Sequence, residues 1–147
     1  MKEIFKELRT QLMDLEDINW VDINKGQINN YEVRPPIDFP AVLLTLNMPR
    51  TTKLSGKDQQ CEVLITADIV FDCIDDTDSS TQDDALEESL AIYDVANDVY
   101  KTLQGQSLSG VLRAPMERIA QQEPRRADKL KVIQITFSTR YIDKSAN

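Results

Sequence analysis

Residues 61–74 read CEVLITADIVFDCI and form the clearest β-strand pattern in the chain. Every second residue from Cys61 to Cys73 is apolar, whereas the positions between them mix acidic residues and a threonine with Leu64 and Val70. One face of this strand is therefore predicted to be buried and the other to be partly exposed to water. Such a pattern is typical of an antiparallel sheet that is covered on one side.

Further strands are predicted on both sides of this segment. Residues 41–48 lie between prolines, residues 130–142 alternate apolar and polar side chains, and residues 20–23 allow a short strand. The stretch 111–120 contains Pro115, which has no N–H to donate, and is predicted to be a short edge strand. Residues 50–60 are polar and are predicted to form a long loop between the first two long strands.

Two helices are indicated by apolar residues at steps of three and four. The first spans residues 2–15, and the second continues to Leu103 after an acidic segment in which Ser80 or Thr81 is expected to cap it. Gly105 stands where a left-handed terminating residue belongs. The fold expected for residues 1–147 is a single α+β domain. In it, a mostly antiparallel sheet of about four to five strands carries the N-terminal helix and one long central helix.

Composition excludes several classes of function. The 25 acidic and 17 basic residues give a net charge of −8, the opposite of what a duplex-DNA binder needs. The chain has no histidine, the commonest general base and zinc ligand, and only two cysteines. No signal peptide or long apolar run is visible, so we expect a soluble cytoplasmic protein without membrane contact.

Catalytic motifs are also missing. No serine has a histidine or a Ser-x-x-Lys partner to activate it, and the four glycines form no phosphate-binding cluster. We therefore predict no catalytic residue, no metal and no cofactor. The alternative left open is a divalent cation or carboxylate chemistry at the acidic run. That run comprises Asp75, Asp76, Asp78, Asp83 and Asp84, which lack the spacing of a calcium loop.

Charge is unevenly distributed along the chain. From Arg113 onward the net charge is +4, whereas the preceding 112 residues carry −12. This asymmetry favours head-to-tail association, in which the basic edge of one subunit meets an acidic face of the next. The basic residues predicted at such an interface are Arg113, Arg118, Arg125, Arg126 and Lys129.

The order of elements resembles that of the small tail terminator, or tail completion, proteins of long-tailed phages and prophages. The resemblance rests on a starter helix, the Pro-flanked strand that begins FPAVLL (residues 39–44), and a helix that opens in acids. The Arg-bearing segment LRAP (residues 112–115) and the final strand VIQITF (residues 132–137) complete it. It covers nearly the whole chain.

This resemblance implies a structural role without catalysis. Proteins of this family form a six-fold ring that caps the tail tube and joins it to the head connector, so the implied partners are further copies of this chain, the tube protein and the connector protein. The implied location is the host bacterial cytoplasm during assembly and then the virion tail. By position, residues 49–60, with Arg50, Lys53 and Lys57, correspond to a loop that would reach a neighbouring subunit or the tube.

Two further expectations follow. The acidic run would line the ring opening and repel passing DNA, since like charges repel phosphate. A head completion or neck protein of the same particle is the nearest alternative, because it would lack catalytic groups in the same way.

Overall fold

The computed structural model describes residues 1–72 and 75–147 of the chain. It contains two helices, α1 (Lys2–Met13) and α2 (Asp83–Leu103), and five strands. The strands are β1 (Trp20–Ile23), β2 (Ala41–Lys53), β3 (Gln59–Phe71), β4 (Ala114–Gln122) and β5 (Lys131–Asp143). They form one sheet in the order β1-β2-β3-β5-β4, which leaves β1 and β4 at opposite edges.

The α+β class is confirmed, but the prediction of a mostly antiparallel sheet is wrong because the sheet is mixed. β1 runs parallel to β2, from Trp20 opposite Ala41 to Ile23 opposite Leu44, whereas the other three pairings are antiparallel. A parallel pair needs a crossover connection. Residues 24–40 supply it without forming a helix or strand of their own.

The main core lies between the two helices and one face of the sheet. Alternate residues of β3 from Cys61 to Ile69 are fully buried on this face, as the period-two pattern predicted, and Phe71 is nearly so. Ile4, Leu8 and Leu12 of α1 and Ile92, Val99 and Leu103 of α2 pack against the same face. Each helix therefore buries one apolar stripe, which is the main source of its stability.

A second, smaller core covers part of the opposite face. The crossover segment places Ile28 and Ile37 against Leu43, Val70 and Val132, with Leu130 beside them. Trp20, Tyr31 and Phe39 pack around this group. On the outer face of β3, the side chains near Val70 are therefore buried. This face becomes exposed only towards the other end of the strand, where Glu62 lies.

The β2–β3 hairpin differs from the prediction. β2 does not end before Pro49 but continues to Lys53, so the predicted loop of residues 50–60 shrinks to Leu54–Asp58. The pairing register shifts between Asn47 and Arg50, and Pro49 lies within this irregularity. β1 pairs with β2 only as far as Leu44, so Pro49 lies at a bulge where it interrupts no regular ladder, and the strand continues past it.

The ends of α2 also correct the sequence analysis. The helix begins at Asp83 after Gln82, which makes no side-chain capping bond, so neither Ser80 nor Thr81 caps it as expected. Ser80 instead donates its backbone N–H and its hydroxyl to Asp78. At the other end Gly105 has a φ of +79°, as predicted for a left-handed terminator. Cys73 and Ile74, predicted to complete the long strand, lie outside the described residues.

Candidate interaction surfaces

The first predicted contact region is the distal end of the β2–β3 hairpin, which we call the hairpin tip (Pro49–Lys57). Every residue of the tip is exposed, including Arg50, Lys53 and Lys57. β1 pairs with β2 only as far as Leu44, so among the described residues no strand borders that edge of β2 beyond Leu44. The tip is thus a cationic β-ribbon at the end of the sheet and not the long loop that was expected.

Hydrogen bonds and the C-terminus hold the hairpin tip in shape. Leu54 donates its N–H to the carbonyl of Asp58 at 3.0 Å, and Asp58 donates to Ser55 at 2.9 Å. The Asp58 carboxylate lies 3.8 Å from Lys144 and accepts a bond from the Asn147 amide. These contacts connect the turn to the residues that follow β5. The exposed side chains of Arg50, Lys53 and Lys57 are therefore carried by a hairpin whose turn is held in place.

The acidic run is exposed over its described length. All five of its predicted residues, Asp75, Asp76, Asp78, Asp83 and Asp84, face solvent. Four more exposed acids, Glu87, Glu88, Asp94 and Asp98, continue along α2, and its one base, Lys101, lies 3.5 Å from Asp98. We call Asp83, Asp84, Glu87, Glu88, Asp94 and Asp98 the acidic helix face. The helical spacing of the acids after Asp84 indicates that the acidic surface continues along the helix, but this continuation was not predicted.

The acidic residues do not converge on a common point. Within residues 1–72 and 75–147 no group of three or more Asp, Glu, Cys or His side chains is arranged to hold a metal ion. Asp78 is engaged by Ser80, whose hydrogen bonds hold the pKa of this carboxyl below its usual value. The open, spread arrangement resembles an ordinary solvated surface more than a chelating site.

The basic residues predicted at a subunit interface fall into three groups. Arg113, Arg125 and Lys129 are exposed. The guanidinium of Arg118 lies 3.8 Å from the ring centroid of Tyr100 on α2, which is cation–π geometry. Arg126 alone is largely buried, with 16% of its side chain exposed, because it is bound inside the chain.

Arg126 anchors a polar cluster that joins two loops, here called the Arg126 latch (Ile28, Asn29, Tyr31, Arg126 and Asp128). Its Nε and Nη2 donate to the two Asp128 carboxylate oxygens at 2.9 and 2.7 Å. Its other donor bonds go to Asn29 Oδ1 at 3.1 Å and to the Ile28 carbonyl. The Tyr31 hydroxyl donates to Asp128 at 2.7 Å. The latch therefore ties the crossover segment to residues that precede β5.

The latch strongly favours the charged form of Asp128. The hydrogen bonds from Arg126 contribute most to lowering the pKa of Asp128, to about 2, with further help from Tyr31. The same carboxylate raises the pKa of Tyr31, since ionised phenol would lose its bond to Asp128. A bidentate guanidinium–carboxylate pair with little solvent access is among the stronger polar contacts in proteins.

A second carboxylate, that of Asp68, lies within the sheet, and its surroundings shift its pKa in the opposite direction. It lies on β3 with 8% of its surface exposed and accepts bonds from Gln134 at 2.7 Å and Asn24 at 3.0 Å. Burial raises the pKa of Asp68 despite these bonds, because neither neutral partner compensates the lost hydration of a charge. It links β5 to the start of the crossover segment.

An apolar groove opens beside α1, where β1 ends. This α1 groove has a volume of about 560 Å³ and is lined by Met1, Lys2, Phe5, Lys6, Ile23 and Leu46. Ile23 is 47% exposed, a large fraction for an isoleucine in a strand. The groove could not be predicted from sequence patterns, because it depends on how far β1 extends along β2.

The opposite edge of the sheet also exposes an aliphatic side chain. Ile119 of β4 is 57% exposed, and it lies between Arg118 and Ala120, where the register with β5 is irregular. The outer side of β4 is partly occupied before this point, because Met116 bonds with Gly105 and Gln106 and the Arg118 N–H donates to Gln104. The open part of this edge therefore begins at Ile119.

We expect Asp128→Asn to destabilise the protein by about 2 kcal/mol at pH 7, since the charged pair with Arg126 is lost. Because the folded-state pKa of Asp128 is depressed, its stabilisation is present above the ordinary carboxyl pKa and is lost as the pH falls towards about 2. Denaturant unfolding of both proteins between pH 2 and 7 should show the difference shrinking in acid. Asp17→Asn, at an exposed position, is the control, and a difference independent of pH would contradict the assignment.

Asp68→Asn should have the opposite effect. The raised pKa of Asp68 means that its charge costs stability once the pH exceeds the folded-state pKa, and that this cost is absent in acid. The amide is nearly isosteric, and Gln134 can turn its own oxygen towards the new NH₂. Unfolding measurements should therefore find the variant more stable than the parent at pH 7 and no more stable at pH 3. A loss of stability at pH 7 would show that the charge itself is required.

Comparisons with known proteins leave the functional conclusion to the residues themselves. No protein-family model matches the sequence, and a search of curated proteins gives no match either. No helix in residues 1–72 and 75–147 combines the length and the apolar character needed to cross a membrane. The surfaces that the fold creates are therefore the basis for assigning a role.

Proposed function

We propose that the chain is a structural subunit of a phage or prophage tail, which forms a ring on the end of the tail tube and joins the tube to the head connector. The element order supports this proposal: a starter helix, a long hairpin, a long helix that opens in acids, and two final strands. The ring is proposed to be six-fold, and assembly to take place in the bacterial cytoplasm before the subunit becomes part of the virion. No catalytic group or cofactor has a part in this role.

The observation that carries the proposal is the hairpin tip. Its residues Arg50, Lys53 and Lys57 are all exposed, and the pairing of β1 with β2 ends at Leu44, before the tip begins. An assembly subunit needs an exposed element that reaches a neighbouring protein, and exposed connections between strands often carry binding residues. We assign the tip to contact with the tube protein.

The acidic helix face and the preceding acidic run are proposed to border the path of DNA. Their exposed carboxylates carry little compensating positive charge, since α2 has a single base. A negatively charged surface repels the phosphates of DNA. DNA can then pass without releasing its counterions to the protein surface, and this release is what drives DNA binding. The basic residues Arg113, Arg125 and Lys129 remain available for contacts elsewhere on the ring.

The triple variant Arg50→Glu/Lys53→Glu/Lys57→Glu is expected to keep its fold and to lose binding to tube protein. Each substitution is at an exposed position, so the free energy of unfolding should change little. Reversal of three charges at one contact should weaken binding by at least about tenfold. Co-sedimentation of the purified chain with tail tubes measures this directly.

The matched control is Lys25→Glu/Arg34→Glu/Lys101→Glu, which changes the net charge equally at exposed positions away from the tip. This control should still bind tubes. Equal binding by both triple variants would contradict the assignment of the tip. If the parent chain bound purified portal or connector protein and ignored tubes, the neck-protein alternative would replace the tail role.

A further inference from the structure

The α1 groove adjoins a free strand edge. β1 ends at Ile23, opposite Leu44 of β2, and the groove opens beyond this end. Its apolar lining comes from Ile23, from Leu46 of β2 and from Phe5 of α1. Ile23 is only half covered, since 47% of its surface is exposed. The groove therefore lies where one further strand residue would continue the line of β1.

The backbone of Leu46 is directed towards the same edge. Asn24 donates its N–H to the Leu44 carbonyl at 2.9 Å, so the polar groups of Leu44 point to the β1 side. In a regular strand the N–H and C=O of every second residue point the same way, and β2 is regular from Ala41 to Asn47. Among the described residues no strand pairs with Leu46 on this side. Leu46 therefore offers a donor and an acceptor to an added strand.

Positive charge borders both the groove and the free edge. Lys2 and Lys6 form part of the groove wall, and Glu3, which lies 3.3 Å from Lys6, offsets only one of these two charges. Along β2, residues 45–57 contain the three bases of the hairpin tip and no acid. Arg50 follows Leu46 by four residues, at most about 13 Å along the strand. The hairpin tip therefore begins close to the groove.

We infer that the α1 groove and the free edge at Leu46 together receive an extended segment of the tube protein, which places one apolar side chain between acidic residues in the groove. The apolar side chain packs on Phe5 and Ile23, and the backbone pairs with Leu46 by strand addition. The carboxylates on either side face Lys2 and Lys6. This contact rests on the proposed function and extends the tube contact from the hairpin tip to the groove.

The free edge permits only a short pairing. Pro49 and the register shift between Asn47 and Arg50 interrupt the edge, so an added strand can pair along residues 45–47 and no further. With so few backbone bonds, affinity and selectivity depend mainly on the apolar side chain and its acidic neighbours. Alternate residues of a strand face the same side, so the recognised pattern has an acid two residues before and two residues after the apolar position.

Ile23→Glu tests the groove on tail tubes. The new carboxylate replaces part of the apolar lining and repels an acidic segment, so co-sedimentation should show binding weaker by at least about tenfold. Ile23 is exposed, so the variant should fold, and circular dichroism with thermal unfolding verifies this. Val33→Glu is the matched control, since Val33 is 93% exposed and does not line the groove, and it should bind like the parent. Equal binding by the two variants would overturn the inference.

Hydrogen exchange tests the strand pairing. In the chain bound to tubes, the amide of Leu46 should exchange at least about tenfold more slowly than in the free chain, because it donates to the added backbone. Mass spectrometry of peptic fragments that contain Leu46 measures this change. The fragment that contains Val33 is the internal control and should exchange at the same rate in both states. Unchanged exchange at Leu46 in the bound chain would show that no strand is added there.

A pair of peptides tests the chemistry of the groove without tubes. The probe is acetyl-ETLTE-amide, whose leucine and two glutamates share one strand face, and the control is acetyl-KTLTK-amide, which reverses the charge. In NMR titrations of the isotope-labelled chain, the ETLTE peptide at millimolar concentration should shift the amide resonances of Ile23 and Leu46 saturably. The KTLTK peptide should bind at least about tenfold more weakly. No saturable shift with ETLTE, or equal binding of both peptides, would contradict the inference.

These measurements separate the groove contact from the proposed function. If the parent chain binds tubes and Ile23→Glu binds them equally well, the groove contact is wrong and the tail role stands. If the parent ignores tubes but binds the ETLTE peptide at the groove, recognition of an acidic and apolar strand stands and the tail role is wrong. Sedimentation velocity examines a second copy as the occupant. Self-association of the parent that Ile23→Glu abolishes would overturn the assignment to the tube protein.

Discussion

The short pairing between β1 and β2 determines two of the candidate interaction surfaces of this protein. β1 offers only four residues to a strand of thirteen, so β2 has a neighbour on its outer side from Ala41 to Leu44 and none from there to Lys53. Two surfaces follow from this constraint. The unpaired part of β2 becomes one side of the cationic hairpin tip, and the place where β1 stops becomes the α1 groove, between Ile23 and Leu46.

The remainder of the sheet is rigidly held. β3 pairs along its whole length with β5 and over most of it with β2, and its helix-facing side chains are buried. The second core and the Arg126 latch fix the crossover segment against the opposite face, so β1 is kept in its parallel position although it is short. The protein thus combines a firmly packed centre with two dissimilar edges, β1 and β4.

Sequence patterns were sufficient for the parts of the fold that depend on local periodicity. The buried face of β3, the apolar stripe of α1, the edge position of the Pro115 strand and the terminating Gly105 are all confirmed. Each follows from spacing or backbone chemistry within a few residues. The α+β class could be inferred from these elements together, because two apolar stripes and one apolar sheet face must cover each other.

Features that depend on distant residues could not be predicted in this way. The parallel direction of β1 is decided by the packing of Ile28 and Ile37 on the outer face, and periodicity does not report that packing. Arg126 was assigned to an interface because of its charge. In the structure its guanidinium donates hydrogen bonds to Asn29 and Ile28, which are nearly a hundred residues away in the sequence. The length of β2 was underestimated because Pro49 was treated as the end of a strand, whereas the bulge accommodates it. The interface roles of the exposed basic residues remain predictions.

The proposed role is that of a building block that adds to the end of a tail tube. Electron microscopy of tail tubes that lack a terminator, after incubation with the purified chain, tests it most directly. We expect one annulus with rotational symmetry at a single end of each tube, together with arrest of further tube growth. Bare tube ends that keep elongating in the presence of excess chain would contradict it.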